Sequence, residues 1–259
     1  MISWGGSPKL SLISLKKGIS HVNIKSIFKP VLSLGRAIVR PFGYDIVRQK
    51  AMVDFYLHEY DSYEEYRDVQ IRHNKRKINN IWADEATLDR VFDLVHNDKK
   101  GNAKIKGICH GTRNGFEQNY LNSKGESISV LGTDISDTAT DFENTVQWDF
   151  HDENNEWAGQ FDFVYSNSLD QAWNPRKALT AWFGQLKKDG VLIIEHTEAH
   201  GPTGASEMDP FGVRPAAMPY VLTDWFGDQI TITHTKAKKG NMDRDAWLFV
   251  CKKRVDTVQ

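Results

Sequence analysis

Between residues 105 and 253, short apolar runs alternate with helical stretches, and this rhythm restricts the possible architectures more than any other feature of the sequence. IKGICH (105–110), SISVLGTDI (127–135), TVQW (145–148), FDFVYSN (161–167) and GVLIIEHT (190–197) read as strands. Helices fit between several of them. The clearest is RKALTAWFGQLKK (176–188), where Asn174 can cap, Pro175 takes the first turn and Gly190 follows the end. Strands alternating with helices imply right-handed crossovers and a largely parallel sheet covered on both faces. The last two runs, DQITITHTK (228–236) and DAWLFVCKK (245–253), leave no room between them for a crossover helix, so they predict a hairpin and an antiparallel terminal strand. The fold class is α/β, doubly wound.

Upstream, Tyr44 to about Val95 reads as helical, with Val47, Met52, Phe55 and Tyr56 at roughly helical intervals and Asp84 as a cap before Leu88, Val91, Phe92 and Val95. The polar stretch at 97–102 punctuates the chain. This divides it into a basic N-terminal extension (1–44), a helical segment (45–97) and a main domain (98–259). No Asp or Glu precedes Asp45, while Lys9, Lys16, Lys17, Lys25, Lys29, Arg36 and Arg40 break up any apolar run long enough to span a bilayer. Such an extension suits a solvated tail, or a peripheral contact with an anionic membrane or a protein partner; Pro30 and Pro41 limit its helices to short pieces. The region also lacks the pattern of a signal peptide. With 33 basic and 34 acidic residues, no global field recruits nucleic acid. Two cysteines, Cys109 and Cys251, both in strands, fit a reducing cytoplasm rather than a disulfide scaffold.

In a sheet of this kind, ligands bind at the carboxyl ends of the strands, beside the first one. There the chain reads KGICHGTRNGFE (106–117), with Gly111 and Gly115 able to turn sharply and admit a ligand. A strand-to-helix turn also uses glycine for structural reasons alone. Asp134 follows about 20 residues later, at the end of the second strand, where an acid can accept from ribose hydroxyls; a helix cap is the other reading. Asp149 and Phe150 end the third, suited to an adenine amino group and ring, or to a turn.

Together these motifs resemble the class I S-adenosylmethionine-dependent methyltransferases, closest to the small-molecule group called methyltransferase type 11. KGICHGTRNG is similar to their first motif, GTDIS to the acidic motif, WDFHD to the adenine motif, FDFVYSNSLDQAWNP to the fourth, and LKKDGVLIIEH to the strand after it. The likeness covers roughly residues 85–253. It implies a Rossmann-like, mostly parallel seven-stranded sheet carrying S-adenosyl-L-methionine. Gly111, Arg113 and Gly115 would pass beside its methionine portion, Asp134 and Ile135 would meet the ribose, Asp149 and Phe150 the adenine, and Ser166, Asn167 and Ser168 the sulfonium side. Cys109 stands where the family usually has an acid, and Arg113 where it has a glycine. Arg113 reaches the methionine carboxylate or points to solvent.

The implied activity is methyl transfer to a small or medium-sized acceptor, with an oxygen of a sugar, glycan precursor or other metabolite as the target. FGYDIVR (42–48) looks like phrases that precede some polysaccharide-modifying methyltransferase domains. For a hydroxyl acceptor, His196, Asp170 and His200 are candidate bases, each alternatively a hydrogen-bonded loop residue. The long segment 195–220 reads as a lid or specificity element. Glu195, His196, Glu198, His200 and Asp209 lack the tight spacing of zinc motifs, so no metal is assigned. Trp173 is the candidate acceptor contact, and Trp182 is packing. Two rivals remain: a non-catalytic relative that keeps the fold for binding, and an NAD(P)-dependent oxidoreductase, which would want a tighter glycine turn and a parallel last strand.

Overall fold

The computed structural model describes residues 33–46, 52–97, 104–237 and 245–254. The chain forms two compact units, Met1–Arg48 and Gln49–Gln259. In the first, a helical stretch over 33–39 passes into a 3-10 turn at Arg40–Phe42, closed by Gly43 at φ 83°. The Arg40 guanidinium lies 3.0 Å from the Asp45 carboxylate. Pro30, Val47 and the lysines before residue 33 fall outside the described residues. Among the described residues, no helix is long and apolar enough to cross a membrane.

The second unit is built on a seven-stranded sheet. Its strands are β2 (Ile105–His110), β3 (Ile128–Asp134), β4 (Thr145–Gln147), β5 (Phe161–Ser166), β6 (Leu186–Thr197), β8 (Ile230–Ala237) and β9 (Ala246–Lys253), in the order β4-β3-β2-β5-β6-β9-β8. All neighbours are parallel except β9, which runs antiparallel to both β6 and β8. The reversed strand is therefore inserted beside β6, and β8 forms the edge. The chain leaves β2 towards β3 and β4, then returns to β5 on the other side of β2, which sets the topological switch point at the carboxyl end of β2.

Alternation along the strands feeds two cores. Ile108, Val164, Leu192, Ile194 and Phe249 pack with α4 (Pro175–Gln185) and α5 (Met218–Phe226). Cys109, Val130, Phe163, Tyr165, Ile193 and Leu248 pack with α2 (Glu85–Asn97) and α3 (Phe116–Asn122) on the other face. The expected caps form. Asp84 Oδ1 accepts from Ala86 N, and Asn174 Oδ1 accepts from Lys177 N ahead of Pro175 in the first turn of α4.

Two local expectations give way. Phe55 and Tyr56 belong not to a helix but to a short strand, β1 (Phe55–Leu57), paired antiparallel with β7 (Phe211–Val213). The Phe55 and Phe211 rings meet edge-on at 5.5 Å. A partner more than a hundred residues away decides this conformation, and local periodicity does not register it. The helical reading holds further on, in α1 (Tyr63–Arg76) and α2. The expected helix 176–188 stops at Gln185, because Leu186 turns extended and pairs with Phe161 at the start of β6. Gly190 thus lies inside β6 rather than after a helix, where a Cβ would stand 2.9 Å from the Phe161 carbonyl oxygen.

Candidate functional site

At the switch point, β2 ends in His110 and the backbone turns at Gly111, whose φ is +73°. A Cβ here would lie 2.6 Å from Ser168 Cβ, so the turn needs glycine for both its conformation and its close approach to the loop after β5. Gly111 N and Thr112 N both donate to Thr133 O, and Gly115, at φ +76°, precedes α3. Arg113 holds a left-handed φ of +48°, unusual for a side-chain-bearing residue. Its backbone N donates to Asp134 Oδ2 at 3.0 Å, and its Nη1 to Asn80 O at 3.2 Å. Asn114 Nδ2 donates to Ile78 O at 2.9 Å. The loop is thus fastened to the end of β3 on one side and to the segment after α1 on the other.

Around this loop lies a cavity of about 240 Å³, walled by Gly111, Arg113, Glu117, Asn167, Ser168 and Asp170 from the sheet side. His73, Lys77, Asn80 and Trp82 close it from α1 and the stretch that follows, and His200 and Asp209 from the segment after β6. A second recess of about 20 Å³ shares Gly111, Arg113 and His73 with it and is lined further by Asp134, Ile135, Asp149 and Phe150, with Tyr66, Gln70 and Asn74 of α1 alongside. Asp134 also accepts from Ser136 N at 2.9 Å, and Asp149 accepts from the Tyr63 hydroxyl and from His151 Nδ1, each at 2.6 Å.

Burial sets the charge states. It raises Asp170 to about 7 and Glu117 to about 7. Asp209 also rises to about 7, through burial and the neighbouring charge of Asp170. Burial lifts Asp134 above the ordinary range, partly offset by the backbone donors of Ser136 and Arg113. It pushes Asp149 up as well, but the hydrogen bonds of His151 and Tyr63 prevail and hold that carboxyl below its usual value. His73 falls to about 4 through burial and the nearby cations Lys77, Arg113 and Arg76. The wide cavity therefore holds three carboxyls that burial raises towards neutrality, beside Lys77 and Arg113, a setting fit for proton transfer.

Of the residues singled out in the sequence, Gly111, Arg113, Asn167, Ser168, Asp170 and His200 share the wide cavity, and Asp134, Ile135, Asp149 and Phe150 line the narrow recess. His200 Nε2 lies 3.7 Å from Asp170 Oδ2. Three residues lie elsewhere. Gly115 packs against Gln118, Thr145 and Phe142 behind the loop. Ser166, fully buried, donates to His110 O and accepts from Ser168 N, bracing the turn rather than facing a ligand. His196 is off the cavity as well. Its Nε2 donates to Val213 O at 2.8 Å, and burial lowers it to about 3, which leaves it neutral and a poor base.

Cys109 sits in the core, its thiol raised well above the ordinary value by burial. Glu195 accepts from the Tyr165 hydroxyl and His196 Nε2 donates to Val213 O, whereas His200 and Asp209 line the wide cavity. Trp182 is core, as expected, but Trp173 packs on Tyr63, Tyr66 and His151 at the narrow end. Trp82 is the indole of the wide cavity. Glu117, Trp82 and the α1 residues went unread, and Asp209 was weighed only as a metal ligand; of the unread ones, only the acid at the start of α3, two residues past Gly115, gave a local signal.

The wide end fits the polar head of a nucleotide-type cofactor. Glu117 Oε2, Thr112 Oγ1, Arg113 Nε and Asp170 Oδ1 are buried there without partners, and Gly111 keeps the wall open. No family model matches the chain, and no curated protein matches it. Among solved structures, it is similar to the Burkholderia thailandensis 1,6-didemethyltoxoflavin-N1-methyltransferase with bound 1,6-didemethyltoxoflavin and S-adenosylhomocysteine. That likeness has a TM-score of 0.58 at 12% identity, over 76% of this chain and 93% of that one. A chain of the complex of the Haloferax volcanii Trm112 methyltransferase activator gives 0.52 at 14% identity, over 74% and 98%. The CurJ carbon methyltransferase gives 0.51 at 12%, over 66% and 54%. At these identities the likeness establishes the fold, a Rossmann-like methyltransferase fold.

Proposed function

We propose that a protein with this fold and this cavity transfers a methyl group from S-adenosylmethionine to a small acceptor that presents hydroxyl groups, of the sugar or glycan-precursor kind. One observation carries the reading: Gly111, Arg113, Asn167 and Asp170 line a single cavity at the switch point, which shares Gly111 and Arg113 with the recess of Asp134 and Asp149. The cofactor supplies, when bound, a methyl group on a positively charged sulfur. Arg113 would hold its carboxylate, Asp134 its ribose hydroxyls, and Asp149 with Phe150 its adenine.

The remaining work is alignment and proton removal. Asp170 and Asp209 accept from neighbouring hydroxyls, and the Trp82 indole offers an apolar face to the ring carbons between them. Asp170, near 7, takes the hydroxyl proton as the oxygen gains its methyl and becomes the neutral acid, with His200 Nε2 3.7 Å from its Oδ2. Trp82 and the α1 wall exclude water from the reacting atoms.

The first test is calorimetry with S-adenosylhomocysteine and NADH. Micromolar binding of the first, no response to the second, and a loss of roughly 10- to 100-fold in Asp134→Ala are expected, since two ribose hydrogen bonds to a charged acceptor disappear. Absence of S-adenosylhomocysteine binding by the folded protein would sink the proposal. The second reading is a fold kept for binding alone, with the adenosine site retained. Cofactor binding without turnover across a panel of hydroxylated acceptors would select it.

A further inference from the structure

Glu117 lies on the cavity wall yet has no part in the acceptor chemistry. It stands in the first turn of α3, and although only 6% exposed, it lines the wide cavity. Its Oε1 accepts from Asn167 Nδ2 at 3.2 Å, and its Oε2 has no partner. A buried carboxylate left half satisfied is costly unless a ligand completes it. Arg113 is close enough to lower the Glu117 carboxyl, and its buried Nε is likewise without a partner. An anion and a cation on one cavity wall, each with unused hydrogen-bonding capacity, match a group that carries an ammonium and a carboxylate on the same carbon. Cys109, two residues before Gly111, is buried in the core and offers that group nothing.

Resting on the methyl-donor reading above, we propose that Glu117 anchors the α-ammonium of the cofactor's methionine moiety, while Arg113 takes its carboxylate. The anchor sits at the start of the helix after β2. It makes Glu117 a positioning residue that fixes the methyl-bearing sulfur relative to Asp170.

Calorimetry on the full chain tests this with three probes: S-adenosylhomocysteine, its deaminated analogue, and 5′-methylthioadenosine, which lacks the amino-acid portion. Glu117→Gln should weaken S-adenosylhomocysteine roughly 10- to 100-fold, as expected for loss of a charged hydrogen bond. The same variant should bind 5′-methylthioadenosine within about 2-fold of wild type. Deamination should cost the wild type a factor similar to that of the substitution, and should cost the variant little more. Equal weakening of both nucleosides, unchanged S-adenosylhomocysteine affinity, or a wild type indifferent to deamination overturns the anchor. The last comparison does not depend on the variant folding. Failure of the wild type to bind any of the three overturns the methyl-donor reading and the anchor with it, whereas binding with the wrong selectivity overturns the anchor alone.

Discussion

Replacing Asp170 by asparagine should lower turnover by about two to four orders of magnitude, the usual worth of a positioned general base. S-adenosylhomocysteine affinity should stay within a few-fold of wild type, because the cofactor is assigned to Arg113, Asp134 and Asp149 instead. The pH profile separates a base from a residue that merely shapes the pocket. Burial raises Asp170 to about 7, so the ionised, proton-accepting form gains population as pH climbs towards that value. Wild-type kcat/KM should therefore fall about tenfold per unit below it and level off above. In the asparagine variant the share of this limb that belongs to Asp170 should be lost, leaving only what Glu117 and Asp209, also raised to about 7, contribute. A variant that kept the same limb at reduced height would assign the proton to another group, with His200 next in line at 3.7 Å.

The largest effect on stability is expected at Trp182. Its side chain is fully buried, stacks on the His110 ring at 5.1 Å and meets the Phe150 ring edge-on at 5.4 Å. Its Nε1 donates to Phe150 O at 3.0 Å. Trp182→Ala should cost about 3–5 kcal/mol through the cavity it leaves. Thermal melting should show a fall on the order of 10 °C for a domain of this size. Trp182→Phe keeps most of the packing and removes only the donor, so about 1–3 kcal/mol should be lost. Because Phe150 lines the narrow recess, the alanine variant should also weaken the adenine end in whatever fraction stays folded. A melting point unchanged by either substitution would contradict this account of the core.

The strand ends were legible because apolar runs have sharp limits. IKGICH coincides with β2, and the Asn174–Pro175 start of α4 rests on local capping chemistry. Asp170 lies four residues past β5 in the 3-10 turn Leu169–Gln171, whereas Asp134, which closes β3, and Asp149, two residues past β4, were legible for the same reason. What parity and distant pairing decide was not. His196 lies on β6 with the same parity as Ile194, so it turns into the core and binds Val213 O, while His200, beyond the end of the strand, reaches the cavity. Phe55–Leu57 became a strand because Phe211–Val213 lies beside it. Trp82, Lys77 and Asp209 meet at the site only through tertiary folding, and nothing in their neighbours announces it.

The wall that α1 and the stretch after it raise over the site carries a lesson about how such a chain can change. The sheet and the turns at its strand ends supply Gly111, Arg113, Glu117, Asn167 and Asp170, and that packing tolerates little. Much of the acceptor side comes from His73, Lys77, Asn80 and Trp82, all upstream of the polar stretch at 97–102. Two hydrogen bonds, from Arg113 to Asn80 and from Asn114 to Ile78, tie that wall to the glycine loop. Under the proposed methyl-transfer reading, diversification of the acceptor would accumulate in those early residues first, leaving the glycine loop and the strand ends intact, much as a lock is rekeyed without replacing the door.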